Sequence, residues 1–414
     1  MDKYPQNWFY WLNRNAPATG IIVTVVIALS SAGWALHTWQ KSNASLDISG
    51  QVSIGGDVTQ VGSDLIITGD PVDQKTIGHL NNLLDRYRAE LDQRDIELAD
   101  KEALIAQLKT TLELAQKIAA GGDDKLASRA RALLADLGQG SLGAALLPDL
   151  RALIQDYEQG PIKDLVQLHM GEGALTYYGD PQAALAAYRR AHALDPENIV
   201  AINSIGLLEL LFGSLKAAED AFRQVLDLGR FQDDQGAMAV GYGNLGNVAF
   251  KQGDLDAAVD YHNQALALDK ELGSKEGMAT QYGNLGNVAE MRGDLDTAVE
   301  YYNQALALDK ELGSKEGMAT QYGNLGNVAF KQGDLDAAVE YYNQALALDK
   351  ELGRKEGMVL GYANLGLVAF KRGDLLEARQ FWVQARGLFA EMGVQPKVAL
   401  IDESLADLEP PAEP

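Results

Sequence analysis

The sequence predicts an all-α protein: a helix–turn–helix repeat solenoid, preceded by a transmembrane helix, a short β segment and a coiled-coil helix. Three observations carry the solenoid. The stretch YGNLGNVAFKQGDLDAAVEYYNQALALDKELGSKEGMAT recurs in variant form around residues 242–280, 282–320 and 322–360, and a looser copy begins at Tyr362. The glycines at the turn of each unit are Gly179, Gly213, Gly253, Gly293, Gly333 and Gly373, so the first step is 34 residues and the next four are 40. A fixed period in this range marks stacked supersecondary units. Helical pattern flanks every turn, with glycine as the stop and Asp254, Asp294, Asp334 or Asp374 as the next N-cap.

Ahead of the repeats the chain changes character several times. Residues 1–15 are rich in aromatics, with Trp8, Phe9, Tyr10 and Trp11 in a row. Residues 16–39 carry no formal charge if His37 is neutral, and Gly20 to Leu36 is almost all apolar or small. A bilayer takes roughly 20 such residues, and aromatics at both ends suit its interfaces. This span is predicted as a single-pass transmembrane helix. A cleaved leader is the competing reading, disfavoured by the aromatic segment and the lack of a Lys/Arg cluster. Lys3 and Arg14 before the span, against Lys41 after it, lean towards an extracytoplasmic bulk, periplasmic in a bacterium.

Residues 45–70 combine apolar alternation with Gly-Gly-Asp and Gly-Ser-Asp turns, which predicts two to four short strands. So small a unit is marginal alone and would gain from pairing between subunits; a flexible linker is the alternative. Over 73–119, Ile77, Leu84, Leu91, Leu98, Ile105 and Leu112 form one heptad row, and Leu80, Tyr87, Arg94, Lys101, Leu108 and Ala115 a second. That pattern predicts a coiled coil and a homo-oligomer. The competing reading is an amphipathic helix folded back on its own chain. Residues 123–160 read as a helical connector, 163–392 as six repeats, 395–408 as a capping helix and 409–414 as a disordered tail.

Composition narrows the function. A formal charge of −23 excludes a nucleic-acid binder, which needs clustered Lys and Arg. With no cysteine there is no disulfide, thiolate site or Cys nucleophile. The five histidines show no metal spacing, and His262 stands where Tyr302 and Tyr342 stand in later copies. Neither a phosphate-binding loop nor a nucleophile elbow is present, so no catalytic residue, cofactor or metal site is expected and the protein is read as a non-enzyme. Gly241, Gly243 and Gly246 fit the dinucleotide pattern G-x-G-x-x-G, but no strand precedes them. They read as close-contact positions within a helix. The Arg-Gly-Asp triplets at 292–294 and 372–374 are likewise part of the turn.

Tyr282, Leu285-Gly286, Ala298, Tyr302 and Ala305 form one aromatic, Leu-Gly, small, aromatic, Ala series, and Tyr322, Leu325-Gly326, Ala338, Tyr342 and Ala345 repeat it. In this the chain resembles the tetratricopeptide repeat family across about residues 163–390. It departs from that family with Lys270, Lys310 and Lys350 where proline is frequent, so the second helix should run on to about Leu272, Leu312 or Leu352. The longer unit resembles that of kinesin light chains and related adaptors. The resemblance implies a superhelix whose concave face, made mostly of first helices, binds a partner protein or extended peptide. It places Asn247, Asn287 and Asn327 on that face, with Lys251, Lys331 and Lys371 one turn on and Thr280 and Thr320 before. An amide offers both a donor and an acceptor to a peptide backbone, and the lysines would favour an acidic or C-terminal carboxylate group. A membrane-anchored adaptor is the function expected; a self-assembling scaffold or ring is the alternative.

Overall fold

The computed structural model describes residues 51–53, 57–61, 64–67, 98–120, 124–135, 142–157 and 160–406. The predicted membrane span 16–39, the first part of the heptad segment (73–97) and the tail 409–414 lie outside the described residues. Among the described residues no helix is long and apolar enough to cross a membrane.

Three strands lie in the predicted β segment: β1 (Gln51–Ser53), β2 (Asp57–Val61) and β3 (Asp64–Ile67). They form an antiparallel sheet in the order β1-β2-β3, with Val52 opposite Val58 and Val58 opposite Ile67. The described helices that follow divide between two compact units. The first ends at Gly253 and the second runs from Asp254.

In the first unit, α1 (Leu98–Ala119), α2 (Asp124–Ala135) and α3 (Leu142–Asp156) precede the helix pairs α4 (Ile162–Thr176) with α5 (Pro181–Leu194) and α6 (Ile199–Leu211) with α7 (Leu215–Gln232). The unit closes with α8 (Gln235–Gln252). Here the coiled-coil expectation is corrected for its described part. Ile105, Leu108, Leu112 and Ala115, drawn from both heptad rows, are buried in one core with Leu133 of α2, Leu150 of α3 and Leu168 of α4. Gln107 and Thr111 are buried too. Tyr188 Oη donates to Gln107 Oε1 at 3.0 Å, and Thr111 Oγ1 to the Gln167 carbonyl at 3.0 Å. On this part of the helix both heptad rows are taken up by the chain's own core. The periods of a coiled-coil seam and of a buried amphipathic helix, 3.5 and 3.6 residues, diverge too slowly to separate over about three heptads.

The second unit contains α9 (Leu255–Leu272), α10 (Lys275–Arg292), α11 (Leu295–Leu312), α12 (Lys315–Gln332), α13 (Leu335–Leu352), α14 (Lys355–Arg372), α15 (Leu375–Glu391) and α16 (Gln395–Ala406). Its 40-residue period is two 18-residue helices and two short turns. Gly293, Gly333 and Gly373 take the left-handed conformation (φ 80–85°) that ends each first helix. The next residue caps the second helix. Asp294 accepts from Thr297 N at 3.3 Å, Asp334 from Ala337 N at 3.0 Å and Asp374 from Glu377 N at 2.9 Å. Second helices end at Leu272, Leu312 and Leu352, at the residues the sequence predicts, on left-handed Gly273, Gly313 and Gly353. Gly179, in the earliest and shorter unit, is not left-handed. Helix α5 instead starts on Asp180, which accepts from Ala183 N at 3.0 Å, followed by Pro181.

Within a pair, the aromatic of the second helix lies against a glycine of the first. A Cβ built on Gly286 would fall 2.5 Å from the Tyr302 ring, and one on Gly326 2.6 Å from Tyr342. Both rings are buried, as are the alanines four residues before them, Ala298 and Ala338. Between repeats, Lys270 Nζ stands 5.4 Å over the ring of Tyr282, Lys310 5.5 Å over Tyr322 and Lys350 5.1 Å over Tyr362. These cation–π contacts give the lysines that replace proline a structural use. Arg292 pairs with Asp256 and Arg372 with Asp336, so the arginines of both Arg-Gly-Asp triplets are engaged. Helix α16 covers the last pair with Val398 and Ile401, both buried.

Gly286→Ala is expected to destabilise the chain by roughly 1–3 kcal/mol, because the added methyl overpacks the Tyr302 ring. Urea denaturation of the two proteins measures this.

Candidate functional site

In the second unit the first helices α10, α12 and α14 each present one incompletely covered face. Thr280, Asn287 and Met291 of α10 lie on it, with Thr320, Asn327 and Lys331 of α12 and Leu360, Leu367 and Lys371 of α14. Helical spacing of three and four residues makes them neighbours. Asn247 and Lys251 lie on α8, in the first unit. Asn247 is buried; Lys251 is half-buried, and loss of hydration pushes its ammonium below the usual lysine range.

Each predicted amide in the second unit already has an internal partner. Tyr302 Oη lies 2.8 Å from Asn287 Oδ1 and 2.8 Å from Glu290 Oε2, and Tyr342 Oη donates to Asn327 Oδ1 at 2.9 Å. Burial, then the Glu290 carboxylate, holds the Tyr302 phenol well above its ordinary pKa, so it stays a donor. The basic character is reduced as well. Lys331 pairs with Glu290 at 2.7 Å, and Lys371 donates to the Phe330 carbonyl at 3.2 Å with its ammonium 4.3 Å over the Phe330 ring. Thr320 Oγ1 donates to the Glu316 carbonyl at 3.1 Å. Thr280 is half-buried.

The structure singles out a second row, the first asparagine of each NLGN: Asn244, Asn284, Asn324 and Asn364. In the first unit, buried Asn244 donates from Nδ2 to Asn203 Oδ1 at 2.8 Å. The place of Asn203 in the later first helices is taken by Gly283 and Gly323. Beside Gly323 a Cβ would meet nothing within 4 Å; at Gly283 it would meet only Gln321, at 3.4 Å or more. The amides that follow are unengaged. Asn324 and Asn364 are half-buried and make no hydrogen bond among the described residues. Asn284, 4% exposed, holds a buried Nδ2 with no partner. Both asparagines of NLGN recur with the same 40-residue step, so periodicity could not separate them. Only the reach of the tyrosine hydroxyls does.

Residues 232–404 match the family described as the MalT-like TPR region, and residues 175–233 match the tetratricopeptide repeat. No curated protein matches the sequence. Among solved structures, the apo form of RapI aligns at 11% identity over 64% of this chain and 99% of its own, with a TM-score of 0.52. BtubC (BKLC) from P. vanneervenii aligns at 24% identity over 50% of this chain and 88% of its own, TM-score 0.44. A Rap protein complexed with Competence and Sporulation Factor aligns at 14% over 81% and 98%, TM-score 0.49. At 11% identity the likeness to RapI concerns the fold alone.

Asn327→Ala should cost roughly 1–3 kcal/mol of stability, because it strands the Tyr342 hydroxyl. Asn324→Ala, which breaks no internal bond, should stay within about 0.5 kcal/mol. Chemical denaturation separates the two.

Proposed function

Because the chain is a tetratricopeptide repeat protein, we propose that its second unit binds an extended segment of a partner polypeptide across α10, α12 and α14. The observation that carries this is the pair of unengaged amides, Asn324 and Asn364, one repeat apart, each following a helix whose corresponding residue is glycine. A side-chain amide can accept from a peptide N–H and donate to a peptide C=O at once. Glycine leaves room for a backbone to come close. Main-chain recognition of this kind is indifferent to sequence. Selectivity then falls to positions that change along the face: Glu290 and Met291 on α10 stand where α12 and α14 have Phe-Lys, and Leu360 and Leu367 on α14 stand where α10 and α12 have Thr and Asn.

The apolar span 16–39 supports attachment of this binding unit to a membrane, and the missing catalytic motifs support binding rather than catalysis; both rest on the sequence. Assembly of copies through the repeats is a second reading. It draws on α15, where Leu375 and Leu376 are 47% and 69% exposed and the preceding repeat carries half-buried Leu335 and exposed Asp336 at the corresponding positions.

Affinity capture from host extract with the full chain, beside its Asn324→Ala/Asn364→Ala form, tests the proposal. A partner retained by the first and weakened at least tenfold in the second is expected, since two amide contacts to a backbone are worth about 1 kcal/mol or more each. Equal capture by both forms would remove the amides from the site, and recovery of the protein alone would favour self-assembly.

A further inference from the structure

The second helices of the 40-residue units end in one sequence, ALALDKELG, which places Asp269, Asp309 and Asp349 at the seam with the following first helix. All three are buried, at 0%, 6% and 5% exposure. Each faces a glycine, Gly277, Gly317 or Gly357, where any side chain would strike the carboxylate. The seams are therefore homologous in backbone and packing. They differ in what meets the charge.

At the first seam neither oxygen of Asp269 has a hydrogen-bond partner. The polar side chain facing it is Gln281, close enough to favour the charged form yet outside hydrogen-bond geometry; its Oε1 lies 3.0 Å from His262 Nδ1. At the second seam Asp309 faces Gln321, whose own Oε1 has no hydrogen-bond partner, and leaves Oδ2 unpartnered. No charged group offsets either aspartate. Lys270 and Lys310 lie over Tyr282 and Tyr322, and Lys275 and Lys315 pair with Glu311 and Glu351. The third seam has Arg354 where the others have the capping residues Ser274 and Ser314. Its guanidinium stands 3.6 Å from Asp349 and 3.7 Å from Glu316 of α12.

We propose that the first two seams form a pH-sensitive joint: they close on neutral Asp269 and Asp309 and loosen as these ionise, while Arg354 holds the third seam closed. Burial pushes Asp269 up to about 8 and Asp309 up to about 7, with the glutamines opposing. Both folded values lie above the unfolded one, so the stability fully present in acid declines once the pH exceeds the ordinary carboxylate range, and the loss is complete only above about 7 for Asp309 and about 8 for Asp269. Buried His262, pushed down to about 4 by loss of hydration, acts in the opposite sense, but only below its unfolded pKa of about 6.5. Between pH 6.5 and 8.5 the aspartates act alone in these seams. The joint does not depend on what the open face binds.

The chain has no cysteine, so single thiols can report each seam. Ala279→Cys, Ala319→Cys and Val359→Cys each place one at a buried, corresponding position of α10, α12 and α14. The readout is labelling of the full chain by an uncharged thiol reagent at pH 6.5 and 8.5, divided by the rate of a model thiol at the same pH. From the shifts, the opening constant at the first two positions should rise on the order of tenfold relative to the third. Asp269→Asn and Asp309→Asn should each remove the rise at their own seam, and Arg354→Ser should create one at the third. An equal rise at all three seams, or a rise that survives the asparagine substitutions, would overturn the proposal.

Discussion

The contact between an aromatic ring on each second helix and a glycine on the first sets the distance between the helices of a pair. Tyr302 against Gly286 and Tyr342 against Gly326 leave no room for even a methyl group, so the backbones approach as closely as the ring allows. Much else depends on that spacing. It buries Ala298 and Ala338, and it brings the phenol hydroxyls within reach of Asn287 and Asn327 on the first helix. A helix glycine costs about 1 kcal/mol relative to alanine. The close packing of a large ring offsets that cost, and the same contact recurs from pair to pair within the second unit.

Much of this was legible in the sequence because the signals are local. A glycine that must adopt positive φ, followed by an aspartate that can cap, fixes a turn within two residues, and the repetition of that pair fixes the period. The second helix could be extended to Leu272, Leu312 and Leu352 on similar grounds, since a glycine waits after each. What was not legible depends on contacts between distant residues. The heptad rows of α1 show which residues are apolar, not whether the apolar partner belongs to the same chain. Tyr188 and Gln107 meet across 81 residues, and nothing near either announces it. The two asparagines of NLGN differ only in which one a tyrosine hydroxyl reaches. The buried aspartates read as ordinary helix-end acids until the glycine facing each is placed.

These failures share a consequence for function. Residues picked for a binding role because they repeat are, in part, the residues that repeat because they build the repeat. Asn287 and Asn327 tie the helix pair together; Asn324 and Asn364 have no such duty among the described residues. The first unit supplies the contrast, since Asn203 engages Asn244 at 2.8 Å and closes its amide, while glycine in the same register leaves later amides open. The second unit thus combines rigid pairs, an open polar row, and seams whose buried acids differ in compensation. Rigidity lowers the entropy lost on binding, and seam looseness would alter the spacing of the row without unmaking any pair.

The most direct test of the open amide row restores the closed arrangement of the first unit in the second. Gly323→Asn places a side chain in open space and Gly283→Asn one in ordinary contact with Gln321, each in the register from which Asn203 engages Asn244 and so in reach of Asn364 and Asn324. Binding of the full chain to an array of unrelated extended peptides, before and after the double substitution, is the measurement. The account predicts that the parent binds a subset of peptides and that the double variant, equally stable to urea, loses them. Undiminished binding by a variant whose new amides are shown to be paired would contradict it.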